Sequence, residues 1–324
     1  MTSSILMPLL VTTALIATES AAFAQQPYPG KPIRFISPYA PGGSSSTVAR
    51  LIGQKLTENW GQHVLVDNRP GGNTIIGTEA MVKATPDGHT ILLVTNTHVI
   101  NSLLIATPYD ANRDFAPVAT LNSSEYVLVV HPSVPAHSLQ ELIGLAKSKP
   151  GQLNYASSVS GGSNHLVSEL FNIMAGVKIH HVPYKGGGPA LTDVLGGQVH
   201  MFFNNASTFV AHIKSGRLNA LAISGAARSP TLPQVPTFTE GGLPGFEVKN
   251  WQAVLAPAAT PRAIIDKLSA EIGKILTLSD IKEKLALQGM DAFISNPEQF
   301  AALLKAETAR VAKVIKTANI KLEN

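Results

Sequence analysis

The chain has 324 residues, of which 44% are hydrophobic and 14% charged, with no cysteine and a formal net charge of +4. That apolar content argues against disorder and supports a sizeable core, and the length suits two α/β domains or one large one. The lack of cysteine excludes thiolate zinc sites, thiol catalysis and a cysteine-linked lipid anchor, and fits an oxidising compartment. Lys and Arg are scattered, with no basic stripe interleaved with aromatics, so a nucleic-acid partner is not expected. A mildly positive field would instead help to draw in an anion.

At the N-terminus, Ile5-Leu6-Met7-Pro8-Leu9-Leu10-Val11 and Ala14-Leu15-Ile16-Ala17 form an apolar run, followed by the small-x-small pattern Ala22-Phe23-Ala24. This predicts a secretory signal over residues 1–24, cleaved near Ala24, and a periplasmic location. Met1-Thr2-Ser3-Ser4 lacks the usual basic residue. A short membrane anchor is the competing reading, although the run is too short to span comfortably. Removal of residues 1–24 takes away only Glu19 and leaves a mature charge of about +5.

From residue 33 the pattern alternates between strands and helices. Strands are expected at 33–37, 63–67 and 90–95, with helices at 47–60 and 74–84 between them. The last of these strands, Thr-Ile-Leu-Leu-Val-Thr, has the continuous apolar middle of a strand covered on both faces. The βαβαβ order predicts a parallel sheet. The pattern then restarts, with strands at 126–130, 154–157, 179–183, 199–204 and 218–224 and helices at 138–147, 163–174 and 189–195. Residues 229–261 are rich in Pro and Gly and suggest a connecting segment, within which 246–255 could return the chain to the first sheet. Helices at 261–276, 279–288 and 297–316 close the chain. Thr260-Pro261 and Asn296-Pro297 both look like an N-cap followed by Pro in the first turn.

Four strand-to-helix turns are rich in glycine: Pro41-Gly42-Gly43-Ser44, Gly71-Gly72-Asn73-Thr74, Ser160-Gly161-Gly162-Ser163 and Lys185-Gly186-Gly187-Gly188. In a parallel sheet such turns lie at the carboxyl ends of the strands, where ligands bind. Their exposed backbone N–H groups and the positive ends of the helices that follow suit an anion. A lone Gly-Gly is usually only a tight connection, but two such turns in each block could converge on one cleft. No phosphate-binding signature is present, so a carboxylate is expected rather than a nucleotide.

Enzyme motifs are missing from the sequence. There is no GxSxG and no HExxH, and adjacent His180 and His181 would point to opposite faces of a strand. No metal or cofactor is expected. His165 opens a helix beside a glycine turn and is either a surface or capping residue or a donor to a bound carboxylate. Asn204 ends a strand at the same edge, and Thr95-Asn96 holds the matching place in the first block. Trp251 is expected in core or hinge packing, with a place in the wall of the pocket as the alternative.

The chain resembles the substrate-binding components of tripartite tricarboxylate transporters, the TctC or Bug family. The resemblance covers essentially the whole mature chain. It is carried by Tyr39-Ala40-Pro41-Gly42-Gly43, Val66-Asp67-Asn68-Arg69-Pro70-Gly71-Gly72, His181-Val182-Pro183-Tyr184-Lys185-Gly186-Gly187, Gly196-Gly197-Gln198-Val199, Val235-Pro236-Thr237 and the stretch 255–261. It implies a two-lobed, type II periplasmic binding fold of the α/β class, each lobe a mostly parallel sheet flanked by helices. It also implies capture of a small carboxylate, with no catalysis, and delivery to membrane transporter subunits. The family's ligand positions fall here on Pro41, Gly42, Gly43, Ser44, Thr74, Gly77, Thr78, Thr95, Asn96, Ser158, Gly161, Ser163 and His165. Tyr39, Ser46 and Asn204 complete the candidate set.

Two departures from the family pattern bear on the ligand. Ser46 stands where the family typically has Asp, and Asn204 where Phe-Asp is common. Each removes a negative charge that would favour a ligand ammonium and repel a second carboxylate. A dicarboxylate is therefore expected, with an aromatic diacid such as terephthalate within the range. Lobe one is expected over 25–122 and 235–324, lobe two over 123–234, and the protein is expected to be a monomer. The competing classes are a secreted hydrolase using Ser44 or Ser163 with His165, and a chemosensory binding protein feeding a receptor.

Overall fold

A computed structural model describes residues 28–39, 41, 44–158, 160–184 and 187–320. The expected signal segment and Gly42, Gly43 and Lys185-Gly186 lie outside the described residues.

The first parallel unit is built from β1 (Ile33–Ser37), β2 (Val64–Asn68) and β3 (Thr90–Thr95), with β1 between the other two. Helices α1 (Ser44–Trp60) and α2 (Ile75–Val82) make the crossovers. The second unit repeats the plan, with β5 (Asn154–Ser157) paired in parallel to both β6 (His180–Pro183) and β7 (Met201–Asn205). Its crossovers are α5 (Ser163–Ala175) and α6 (Gly187–Leu195). The predicted periodicities thus become the two parallel cores of the expected α/β architecture.

A strand of 16 residues, β4 (Phe115–Val130), joins the two units. Its first part pairs antiparallel with β9 (Lys249–Pro257), which in turn pairs antiparallel with β3. Its last part, from Tyr126, pairs antiparallel with β7 and with β8 (Asn219–Ile223). The directions follow directly. β1 and β3 run with β4, and β5 and β7 run against it. The carboxyl ends of the two parallel units therefore face each other across the region where β4 changes partners.

Packing separates into layers on either side of each unit. Ile33, Phe35, Val48, Ile52 and Leu56 pack with Leu268, Ile272 and Ile275 of α8 (Arg262–Thr277) on one face of the first sheet. On the opposite face, Leu92, Val94 and Trp251 pack with Phe300, Val311 and Val314 of α10 (Pro297–Ala318). In the second sheet Tyr155, Phe171, Phe203, Phe238 and Phe246 form an aromatic cluster.

Several elements differ from the sequence expectation. The strand expected at 126–130 begins at Phe115, and the one expected at 246–255 begins at Lys249. Two helices were not foreseen, α3 (Asn96–Leu104) and α7 (Ala206–Lys214). The remaining helices are α4 (Leu139–Ser148) and α9 (Ser279–Ala286), and β10 (Asp291–Ala292) pairs with β4. Asn296 caps α10 in a reciprocal capping box with Gln299, and Pro297 sits in the first turn. The matching expectation for Thr260 is corrected. Pro261 is itself the N-cap residue of α8 and no side chain caps that end. No helix among the described residues is long and apolar enough to cross a membrane.

Candidate functional site

Each facing end is built from a strand terminus and the helix that follows it. In the first sheet, β1 leads through Tyr39 and Pro41 into α1. The Tyr39 hydroxyl lies 2.7 Å from Thr95 Oγ1 at the end of β3. Burial pushes that phenol above its ordinary pKa, so it stays protonated. Asn68 clips the same turn: its Nδ2 donates to the Tyr39 carbonyl at 2.9 Å and to Ser46 Oγ at 3.2 Å. Ser46 therefore holds the turn from beneath, 1% exposed, whereas Ser44 at the helix start is exposed.

The second turn of this sheet is strained. Asn73 and Thr74, neither of them glycine, have φ of 51° and 76°. Asn101 of α3, wholly buried, braces them: its Nδ2 donates to the Asn73 carbonyl at 2.6 Å and to Thr74 Oγ1 at 3.2 Å. Asn73 Nδ2 returns a bond to Asn101 Oδ1 at 2.8 Å. Thr78 Oγ1 donates to the Thr74 carbonyl at 2.9 Å. Gly77 serves packing, because a Cβ there would stand 2.8 Å from Pro38 Cβ and 2.9 Å from the Arg69 carbonyl oxygen. Thr95 caps α3 by accepting from Thr97 N at 3.2 Å. The Asn96 amide is committed to the protein. Its oxygen accepts from Trp251 N at 3.0 Å, and its nitrogen lies 3.3 Å from both the Lys249 carbonyl and Glu307 Oε2. Asn96 thus ties α3 to β9 and α10.

In the second sheet, Asn164 Nδ2 donates to Ser158 Oγ at 2.6 Å, and Ser158 N donates to Asn164 Oδ1 at 3.2 Å. Ser158 Oγ accepts there, which leaves its own hydrogen to donate elsewhere. Asn204 Oδ1 accepts from Asn205 N at 2.9 Å, so its NH2 group is the end turned outward. A Cβ on Gly187 would lie 3.7 Å from Ser158 Oγ and 3.8 Å from Asn204 Nδ2. Both donors therefore face the first turn of α6. Ser163 opens α5 beside the Tyr126 hydroxyl, whose pKa burial raises to about 12 against the opposing pull of Ser163 and Arg310.

His165 supports its turn. It is 6% exposed, and its Nδ1 accepts from Gly161 N at 2.9 Å. The proton of the neutral ring is then on Nε2. Burial, and secondarily His181, lowers its pKa to about 3. His181 in turn shares a 2.6 Å contact with Ser157 Oγ.

The sequence reading missed Asn68, Asn101, Asn164 and Gln252, which hold these turns. Asn68 and Asn101 lie at a strand end and on an unforeseen helix, and pairing between distant segments leaves no local pattern. Gln252 is 3% exposed, at the position of β9 that pairs with Thr95.

The fold is that of a two-lobed, type II solute-binding protein, with opposed β–α turns of hydroxyls, carboxamides and backbone N–H groups. The chain belongs to the tripartite tricarboxylate transporter family of receptors, TctC, whose family model matches residues 48–320. It is 37% identical to the protein BugT of Bordetella pertussis, over 97% of each chain. Among solved structures it is similar to R. palustris Rpa4515 with adipate, at 34% identity and a TM-score of 0.81, covering 91% of this chain and 99% of that one. It is also similar to MatC of Rhodopseudomonas palustris with bound malate, at 31% identity and a TM-score of 0.74, covering 89% of this chain and 100% of that one. The family and its solved relatives are solute-binding receptors, not enzymes. The hydrolase alternative is set aside on that ground, and Nδ1 of its would-be base, His165, is held by Gly161.

Proposed function

We propose that the protein is a periplasmic receptor that closes on a dicarboxylate and delivers it to the membrane subunits of a tripartite transporter. The observation that carries this reading is that neither Ser46 nor Asn204, one at each of the two opposed ends, presents a carboxylate. Ser46, at the N-terminus of α1, is bonded to Asn68 rather than to an ion. Asn204 turns an NH2 group, not a carboxylate, toward Ser158 and α6. Helix N-termini and neutral donors hold an anion from both sides, and nothing at Ser46 or Asn204 complements a ligand ammonium. The adipate and malate bound by the two solved relatives support the same ligand class.

Closure is a hinge motion of the two lobes, 25–122 with 235–324 against 123–234, at the crossings around Ser123–Glu125 of β4 and the start of β9. The experiment is a thermal-shift screen of purified protein against malate, adipate, terephthalate, aspartate and glutamate. Dicarboxylates should raise the melting temperature and the two amino acids should not. Stabilisation by aspartate or glutamate alone would overturn the reading.

A further inference from the structure

Where β4 and β9 carry the chain from one sheet to the other, their side chains include a row of carboxamides. Gln252 Oε1 accepts from Asn122 Nδ2, directly opposite on β4, at 3.3 Å. That bond orients the amide so that its NH2 group points at the first turn of α1. There Nε2 lies 3.5 Å from Ser44 Oγ and 3.4 Å from Ser45 Oγ. Asn250, two residues earlier on β9, shares the same face. It is half-buried and sits opposite Ser124, and its Nδ2 reaches Asn205 Oδ1 at the end of β7, 3.5 Å away. All these contacts are at the long limit for hydrogen bonds, so the amide hydrogens are under-used. The nearest carboxylate on these strands, Glu125, faces Lys249 at 3.9 Å.

The geometry points to two carboxylate subsites along this row, one at Ser44, Ser45 and Gln252 beneath the N-terminus of α1, the other at Asn250 and Asn205. This assignment rests on the dicarboxylate reading and adds to it the length of the ligand. The Cα positions of Gln252 and Asn250 are two residues apart, about 6.8 Å along an antiparallel strand, and this backbone spacing sets the scale proposed for the two subsites. Five carbon–carbon bonds of about 1.5 Å in an extended zigzag place the carboxyl carbons of a six-carbon diacid about 6 Å apart. A four-carbon diacid spans only about 4 Å and fills one subsite, and an eight-carbon diacid at about 9 Å must buckle. A six-carbon monoacid occupies the first subsite and leaves the Asn250–Asn205 pair unused.

The test is calorimetric titration of the mature protein with succinate, adipate, suberate and hexanoate. Adipate should bind tightest, and hexanoate about tenfold or more weaker, because a hydrogen-bonded charge is lost. Replacing Asn250→Ala together with Asn205→Ala should bring adipate to within about twofold of hexanoate and abolish the length optimum. Gln252→Met, close in volume, should weaken all four acids by about tenfold while the adipate-to-hexanoate ratio persists. A purely structural role would lower the melting temperature of the free protein without changing that ratio. Asn250→Ala alone carries the same test should the double variant not fold. A length optimum and acid ratio that survive loss of Asn250 and Asn205 would overturn the subsite assignment and leave the dicarboxylate reading standing. Wild-type protein that binds no diacid overturns both.

Discussion

His165 and His181 stack face to face, with ring centroids 3.8 Å apart and planes inclined by 12°. Tyr155 extends the stack, its ring 5.1 Å from that of His181, and its hydroxyl donates to the Glu169 carboxylate. His165 is buried and His181 half-buried, and loss of hydration disfavours a proton on either ring, with His181 adding to the effect on His165 and His180 to that on His181. His165 falls from 6.5 to about 3 and His181 from 6.5 to about 4, in each case chiefly through burial. The unfolded chain therefore binds protons below pH 6.5 that the folded chain refuses. The contribution of this pair is intact above pH 6.5 and is lost as the pH falls toward 4 and then 3. Melting temperatures measured from pH 7.5 to 4 should decline. His165→Asn, which offers an oxygen to Gly161 N but does not titrate, should decline less. Equal slopes for the two proteins would sink the prediction.

Asn204→Asp retains the acceptor for Asn205 N and replaces the outward NH2 group with an anionic oxygen beside Ser158 and Gly187. Dicarboxylate affinity should fall about tenfold or more, and the preference should move toward an amino acid, whose ammonium the new charge favours. Paired titrations with adipate and aspartate read this directly. An unchanged ratio between them would mean that Asn204 lies away from the ligand.

At Gly77 the helix α2 touches the turns that follow β1 and β2. Gly77→Ala forces a Cβ against Pro38 and the Arg69 carbonyl, neither of which yields easily. The expected cost is about 1–3 kcal/mol of stability, seen as a lower urea midpoint with an unchanged slope. Ligand affinity should drop as well, because the strained Asn73-Thr74 turn moves with the helix.

Trp251 is 2% exposed and meets the Phe300 ring edge-on at 5.8 Å, between α10 and the start of β9. It is a packing residue, as the sequence suggested. Trp251→Ala should cost about 3–5 kcal/mol in a denaturant titration, while the rank order of ligands stays as in the wild type. A change of rank order without loss of stability would place the indole in the binding cleft instead.

The two parallel units were legible because their strands are apolar and their helices amphipathic, each bounded by glycine. β3 and β5 have the bounds that periodicity predicts. What escaped was the start of β4, where Thr120, Asn122, Ser123 and Ser124 are polar yet buried. Their partners, such as Ser295 with Thr120 and Gln252 with Asn122, are distant in the chain, so no local pattern marks a strand. α3 and α7 escaped for a different reason. β3 runs into α3 at Thr95-Asn96 and β7 into α7 at Asn205-Ala206, with no loop residue between. At the candidate site, the glycine turns were visible as motifs. The side chains that brace them, Asn68, Asn101 and Asn164, became apparent only once the fold had brought them together.

The place of β9 has a consequence for how the chain is made. It lies between β3 and β4, yet it is synthesised long after both. As the polypeptide grows from its N-terminus, β5 to β8 can assemble on β4 at once, whereas the facing edges of β3 and β4 stay open until residues 249–257 emerge. Those open edges are the sort of surface that holding chaperones grip. A molecule whose first half stays unfinished until its last third arrives is easier to keep threadable through a translocation pore.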